Sequence, residues 1–435
     1  MGRWVSWRNR LGHFRWLLPG LGVKRWVVLL LVGIIPLALA VADLPRVTVL
    51  SGLGKVIDRL HIPAVDPAVE ALAFALVGLL LVATAVYNLN RSLLSAYRRG
   101  NQAELVDVVY RHRHRQRGPK VVAIGGGHGL HTLLRGLKEH TDHITAIVTV
   151  ADDGGSSGRL RRDFGMLPPG DFRNCLAALS DAEGLVSQLM QYRFGADSDL
   201  EGHSFGNLYL TAMTAITGSF EAALAESSRV LAVRGQVIPS TLSQVTLCAE
   251  VLTPEPDGDG NKPHLRLVRG ESKIGRLGDR VQRVYLEPED VPAYPGAIRA
   301  ILEADLIVIG PGSLYTSVLP NLLVPDLARA LAVATAPKVY VCNVATQAGE
   351  TEGYDVDAHV DALQSHIGRG VISLVLANNN LQGNPPPGPG VNWVQLPEKA
   401  PGRYRLVTAD LVDMQYPWRH DSQKLAHALM ALLED

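Results

Sequence analysis

The chain has 435 residues, 47% of them hydrophobic and 19% charged, and its 42 Lys+Arg balance 42 Asp+Glu. That length excludes a single small domain and suits one large α/β domain with an appendage. The neutral total hides an uneven distribution. Residues 1–120 hold 17 Lys and Arg against 6 Asp and Glu, leaving 25 against 36 for residues 121–435. A basic head on an acidic body directs the head toward an anionic surface.

Residues 1–25 form a basic N-terminus, with Arg3, Arg8, Arg10, Arg15, Lys24 and Arg25 and no acid. Trp26–Ala42 then runs 17 residues without a charge, and Ala71–Asn90 runs another 20. Crossing the hydrocarbon core takes roughly 20 apolar residues, so residues 26–90 read as a two-helix transmembrane hairpin, with Pro36 inside the first span. The connecting loop Asp43–Pro67 has three basic and three acidic residues. Residues 91–118 form a basic juxtamembrane linker carrying Arg91, Arg98, Arg99 and RHRHRQR. Cytoplasmic loops are the Lys/Arg-rich ones, which places both termini and the main domain in the cytoplasm. Beside a span, His112 and His114 read as lipid-facing; no nucleic-acid partner is expected.

From residue 119 the pattern changes to short apolar strands alternating with helical periodicity. Strands are predicted near 121–125, 144–150, 305–309, 338–342 and 371–376, which makes a Rossmann-like, doubly wound, mainly parallel sheet over 119–435. Segment 236–288 reads as richer in antiparallel strands and as an inserted lobe. TPEPDGDGNKP (253–263) reads as a turn between two of its strands, and QGNPPPGPG (382–390) as an exposed loop. Cys175, Cys248 and Cys342 lie far apart without metal-ligand spacing, as buried thiols in a reducing compartment do.

The first strand runs into Gly125, Gly126, Gly127 and Gly129 and then into a helix from Leu130. Glycines before a helix leave bare N–H groups at its N-terminus, where a phosphate is well held. The third glycine of the dinucleotide fingerprint is missing, since Leu130 stands in its place. The same device recurs after Asp305–Ile309, where Gly310, Gly312, Ser313, Tyr315 and Thr316 follow. Two such turns facing across a switch point can hold a diphosphate.

Asp152 and Asp153 end the second strand. One of them suits Mg²⁺ beside a diphosphate, or the pair caps a helix starting near Ser157. Ser156 and Ser157 add hydroxyls to a second glycine-rich cradle. Asp171 is placed as an N-cap, with Arg173 and Asn174 turned to the cleft. Asn207 suits a base or a sugar amide, and a structural amide closing a turn fits it equally. Asn343, Gln347 and Glu350 follow the strand 338–342; Glu350 suits a metal or a ribose. His203 reads as a structural histidine. No P-loop lysine motif, nucleophile elbow or paired metal histidines occur.

Taken in order, GGGHGL, VADDGGSSGRLR, PPGDFRNCL, GHSFGNL, GPGSLYTSVLPNLLV and NVATQAGETEGY closely resemble the CofD/YvcK family over roughly residues 119–412, nearer the YvcK branch. That branch implies binding of a uridine-diphosphate-N-acetylglucosamine-type ligand, a role in gluconeogenic growth and cell shape, and envelope-synthesis or regulatory protein partners. A homo-oligomer is compatible with it. The CofD branch implies a 2-phospho-L-lactate transferase acting with Mg²⁺ on a guanosine diphosphate donor and a deazaflavin; there the acidic pair is implied to hold the metal. A membrane scaffold with a vestigial pocket is the third reading.

Overall fold

A computed structural model of the chain describes residues 24–42, 67–94, 115–181, 183–195, 199–253, 264–275, 280–382, 390–398 and 402–433. The basic N-terminus up to residue 23, the hairpin loop 43–66, most of the 91–118 linker and the turns 254–263 and 383–389 lie outside these residues. The chain divides into two compact units, Met1–Leu105 and Val106–Asp435.

In the first unit the described residues form two helices, Lys24–Ala42 and Pro67–Leu94, packed on each other. Glycines set their closest approach: a Cβ on Gly33 would stand 3.0 Å from Leu81 and Val82, and one on Gly78 would stand 2.9 Å from the Leu37 nitrogen. Ala71–Asn90 is long and apolar enough to cross a membrane. The apolar stretch of the first helix, Arg25–Ala38, is shorter.

The second unit is built on seven strands. β1 (Val121–Gly125), β2 (Ile144–Val148) and β3 (Gln236–Pro239) lie on one side, and β7 (Leu306–Ile309), β8 (Lys338–Val341), β9 (Leu374–Asn378) and β10 (Arg405–Ala409) on the other. The order is β10-β9-β8-β7-β1-β2-β3, and every pairing is parallel. The strands VVAIG, ITAIV and LIVI are buried at every position. Continuous apolar runs are what a parallel sheet covered on both faces requires.

The chain therefore winds outward from β1 to β3, crosses back, and winds the other way from β7. The switch point falls between β1 and β7, which pair from Val121–Leu306 to Ile124–Ile309. A separate antiparallel sheet, β4 (Thr246–Thr253), β5 (His264–Arg269) and β6 (Arg280–Glu287), forms the inserted lobe in the order β5-β4-β6. The strand-rich segment was expected to be lobe from residue 236. Instead β3 completes the main sheet, because its apolar core residues continue the register of β2.

Candidate functional site

Both glycine turns leave the carboxyl ends of β1 and β7, adjacent strands at the switch point, where an open α/β sheet takes its ligand. They touch. A Cβ on Gly129 would stand 2.6 Å from the carbonyl carbon of Pro311 and 2.8 Å from the Gly312 nitrogen. Gly127 has φ of +62° and Gly310 of +77°, the left-handed region in which glycine is favoured. Gly126 is the N-cap of the helix Gly127–Leu137 and supplies no side-chain cap, so the amides of that first turn depend on groups from elsewhere in the fold. Gly125 closes β1, its carbonyl accepting from Asn321 Nδ2 at 3.0 Å.

The second turn is braced from β8. Asn343 Nδ2 donates to the Gly312 carbonyl at 2.9 Å and Asn343 Oδ1 accepts from the Gly312 amide at 3.2 Å. Gln347 Nε2 donates to Ser313 Oγ at 2.8 Å. Beyond it, the π-helical turn Leu314–Val318 is capped by Glu350, which accepts from the Tyr315 amide at 3.3 Å and from Thr316 Oγ1 at 3.0 Å. Burial pushes the Glu350 carboxyl up to about 7, against those hydrogen bonds. Glu350, expected as a metal or ribose ligand, is thus a cap. Tyr315 also departs from expectation. Its ring is buried and its hydroxyl meets that of Tyr354 at 2.9 Å, so it belongs to the core beneath the turn. Thr316 is buried likewise, its hydroxyl engaged by Glu350.

On the β2 side, Asp152 and Asp153 diverge. Asp152 Oδ1 accepts from the Gly154 amide at 2.9 Å, and burial raises its pKa. Asp153 Oδ1 accepts from the Ser272 amide of the lobe at 2.8 Å. The two carboxylates thus turn to different partners. Among the described residues no group of three or more His, Cys, Asp or Glu is arranged to hold a metal ion. The helix that follows spans Gly155–Phe164, with Gly154 as N-cap, two residues earlier than predicted.

Helix Gly170–Leu179 takes Pro169 as its N-cap, so Asp171 is not the cap. Its carboxylate reaches the first turn instead and accepts from the Gly127 amide, and a Cβ on Gly126 would lie 2.6 Å from it. Burial, then the charge of Asp152, pushes Asp171 up to about 6. Glu271 of the lobe is pushed up to about 8 by burial and by Asp152, Asp153, Asp171 and Glu350. Neither residue's part here was legible in the sequence.

Arg173 and Asn174 are both buried, and Arg173 Nη2 donates to Asn174 Oδ1 at 3.2 Å. Asn207 is 2% exposed: its Nδ2 donates to Ser156 Oγ at 3.0 Å and to Ser157 Oγ at 3.5 Å. Ser156 Oγ lies 3.0 Å from His203 Nδ1. Because the Asn207 amide donates to Ser156, the Ser156 hydroxyl is free to donate to the imidazole. Buried Arg173 Nε and Asn207 Oδ1 have no hydrogen-bond partner, and a polar atom left so invites a ligand. On the basic side, burial and then Arg419 and Arg173 lower the pKa of His128. The site thus gathers the carboxyl groups of Asp152, Asp171 and Glu271, with Arg173 in charge contact with both aspartates and Arg419 with His128.

A family model described as 2-phospho-L-lactate transferase CofD matches residues 121–386, which contain all of these groups except Arg419. The gluconeogenesis factor of Bacillus subtilis is 46% identical over 73% of this chain and 99% of its own length. A Nostoc sp. protein is 46% identical over 97% of this chain and 94% of its own, so that similarity extends into the N-terminal unit. The crystal structure of a UPF0052-family protein from Bacillus halodurans matches with a TM-score of 0.64 and 43% identity, covering 72% of this chain and 99% of that one.

Proposed function

The chain belongs to the CofD family, in its gluconeogenesis-factor group, and from that premise we propose that it is a membrane-anchored regulatory protein that binds a nucleotide sugar. The observation that carries the reading is the meeting of two glycine turns at the switch point. In this reading the open amides of the two turns take the diphosphate, with Arg173 as its counter-charge, while the Gly127, Gly310 and Gly312 amides are held by Asp171, Ile124 and Asn343. Asn207, Ser156 and Ser157 take the sugar, for which uridine-diphosphate-N-acetylglucosamine is the type. Gluconeogenic growth and cell shape are the processes proposed for it, through envelope-synthesis or regulatory proteins. Anchoring rests on the Ala71–Asn90 helix, on its pairing with Lys24–Ala42 and on the basic flanks, with both termini in the cytoplasm. A reporter fused after residue 118 is expected inside the cell.

The test is calorimetric titration with uridine-diphosphate-N-acetylglucosamine and with guanosine diphosphate, each with and without Mg²⁺. Selective uridine-sugar binding, lost in Gly127→Ala or Gly312→Ala, supports the regulatory reading. The second reading, a 2-phospho-L-lactate transferase, is favoured by the description of the matching family model and by the Asp171 carboxylate facing the first turn. Mg²⁺-dependent binding of guanosine diphosphate, weakened by Asp152→Asn, selects it. Silence from both leaves a scaffold.

A further inference from the structure

Among the described residues two polar contacts join the lobe to the body, beside the close approach of Gly275 to Gly349 and a shared apolar core. At the ligand side, the Ser272 amide donates to Asp153, and a Cβ on Gly270 would collide with the same carboxylate. At the other, β6 meets the helix Val356–Ile367. The Val284 amide points away from β4 and donates at 3.0 Å to Nε2 of His366. An open strand edge calls for such cover, and here one imidazole supplies it. His366 Nδ1 lies 2.6 Å from the carbonyl oxygen of Ala362 and 3.1 Å from Ser365 Oγ. A carbonyl only accepts, so Nδ1 carries the hydrogen; a backbone amide only donates, so Nε2 is bare. Both bonds exist together for the neutral ring alone. A second proton would set N–H against N–H.

We propose that His366 is a positioning residue: neutral, it latches the lobe to the body and keeps the Gly270–Lys273 loop over Asp153, and protonated, it releases that loop from the ligand site. The consequence for binding rests on the reading of that site given above, whereas the movement of the lobe does not. A cavity of about 400 Å³ beside the ring gives water and protons access. The charged and titratable groups around it are Arg283 and Tyr285 on β6, Glu289 and Asp290 just after β6, and Tyr315, whose ring meets the imidazole edge-on at 6.1 Å. Burial and then Arg283 lower the pKa of His366, opposed by the Ala362 carbonyl. The docked lobe therefore favours the neutral ring. Docking is at full strength above the free-imidazole value of about 6.5 and weakens as pH falls below it.

The experiment is hydrogen exchange of the full-length chain in detergent at pH 7.5 and 5.5, corrected for intrinsic rates, in wild type, His366→Gln and His366→Leu. Losing one buried hydrogen bond is expected to raise opening of β4 and β6 about tenfold. Wild type should show that rise at pH 5.5 only. His366→Gln keeps an acceptor for Val284 that does not titrate, and should stay protected at both pH values. His366→Leu should be open at both. Equal pH responses in wild type and His366→Gln overturn the latch, because Asp171, Glu271 and Glu350 would then be responsible. If His366→Leu does not fold, that comparison still decides. Titrating uridine-diphosphate-N-acetylglucosamine into wild type and His366→Gln at both pH values separates the two claims. Protection that follows the prediction without any ligand binding refutes the ligand reading and leaves the latch standing. Equal binding by the two proteins at both pH values refutes the coupling of the lobe to the ligand site.

Discussion

Gly129→Ala isolates the contact on which the site depends. The helix Gly127–Leu137 gains from losing a glycine, by up to about 1 kcal/mol. Against that, the new methyl would meet the Pro311 carbonyl carbon at 2.6 Å and the Gly312 nitrogen at 2.8 Å. These are backbone atoms and cannot rotate away, so the turns must part by on the order of 0.5–1 Å, at a cost of about 1–3 kcal/mol. Net destabilisation of about 1–2 kcal/mol follows. Ligand affinity should fall further than stability, by tenfold or more, since both halves of the cradle move. Gly136→Ala is the control. Its methyl would press on the Ser422 carbonyl and stand 2.8 Å from the Ala426 Cβ, at the far end of the same helix. Urea unfolding and ligand calorimetry on both variants make the comparison. Equal affinity losses in the two, or unchanged binding in a folded Gly129→Ala, would refute the claim that the contact shapes the site.

Asn321 is fully buried and donates to both Gly125 and Ser317 carbonyls, at 3.0 and 2.9 Å. Asn321→Ala should therefore cost about 2–4 kcal/mol, read as a lower urea midpoint at unchanged slope. Tyr315→Phe removes only the contact with Tyr354; a loss of about 1 kcal/mol with ligand affinity intact is expected, and a large affinity loss would return Tyr315 to the site. Glu271, pushed up to about 8, holds its proton in the folded chain more tightly than in the unfolded one. Its penalty therefore grows as pH rises from the unfolded value of about 4.5 through 8. Glu271→Gln should raise the melting temperature at pH 8.5 and leave it nearly unchanged at pH 5. Equal shifts at both would show that its charge is not the cause.

The two glycine turns were legible because each follows a strand with no polar residue in it and consists of residues that only a tight turn needs. Val121–Ile124 and Leu306–Ile309 announce buried parallel strands, and the glycines after them mark where the backbone must come close. The edges were less so. β10, Arg405–Ala409, is half exposed along its length and carries neither a continuous apolar run nor clean alternation. β3 has four residues and ends at Pro239, so it was grouped with the strands that follow it.

The site's supporting groups were hidden for a different reason. Motif reading finds residues adjacent in sequence, but Asn321 reaches Gly125 across 196 positions and Ser272 reaches Asp153 across 119. Only the reversal of winding between β3 and β7 brings them together. That also explains the error at Tyr315. It stands in the second glycine motif, yet the π-helical turn after Ser313 directs its ring inward, while Glu350 takes its amide from 35 positions away. A motif locates a turn; which of its side chains face the ligand is set by what the rest of the fold has already claimed. Here the claims leave Gly126–Gly129, Gly312 and Ser313 at the surface of contact, and leave Tyr315 and Thr316 beneath it.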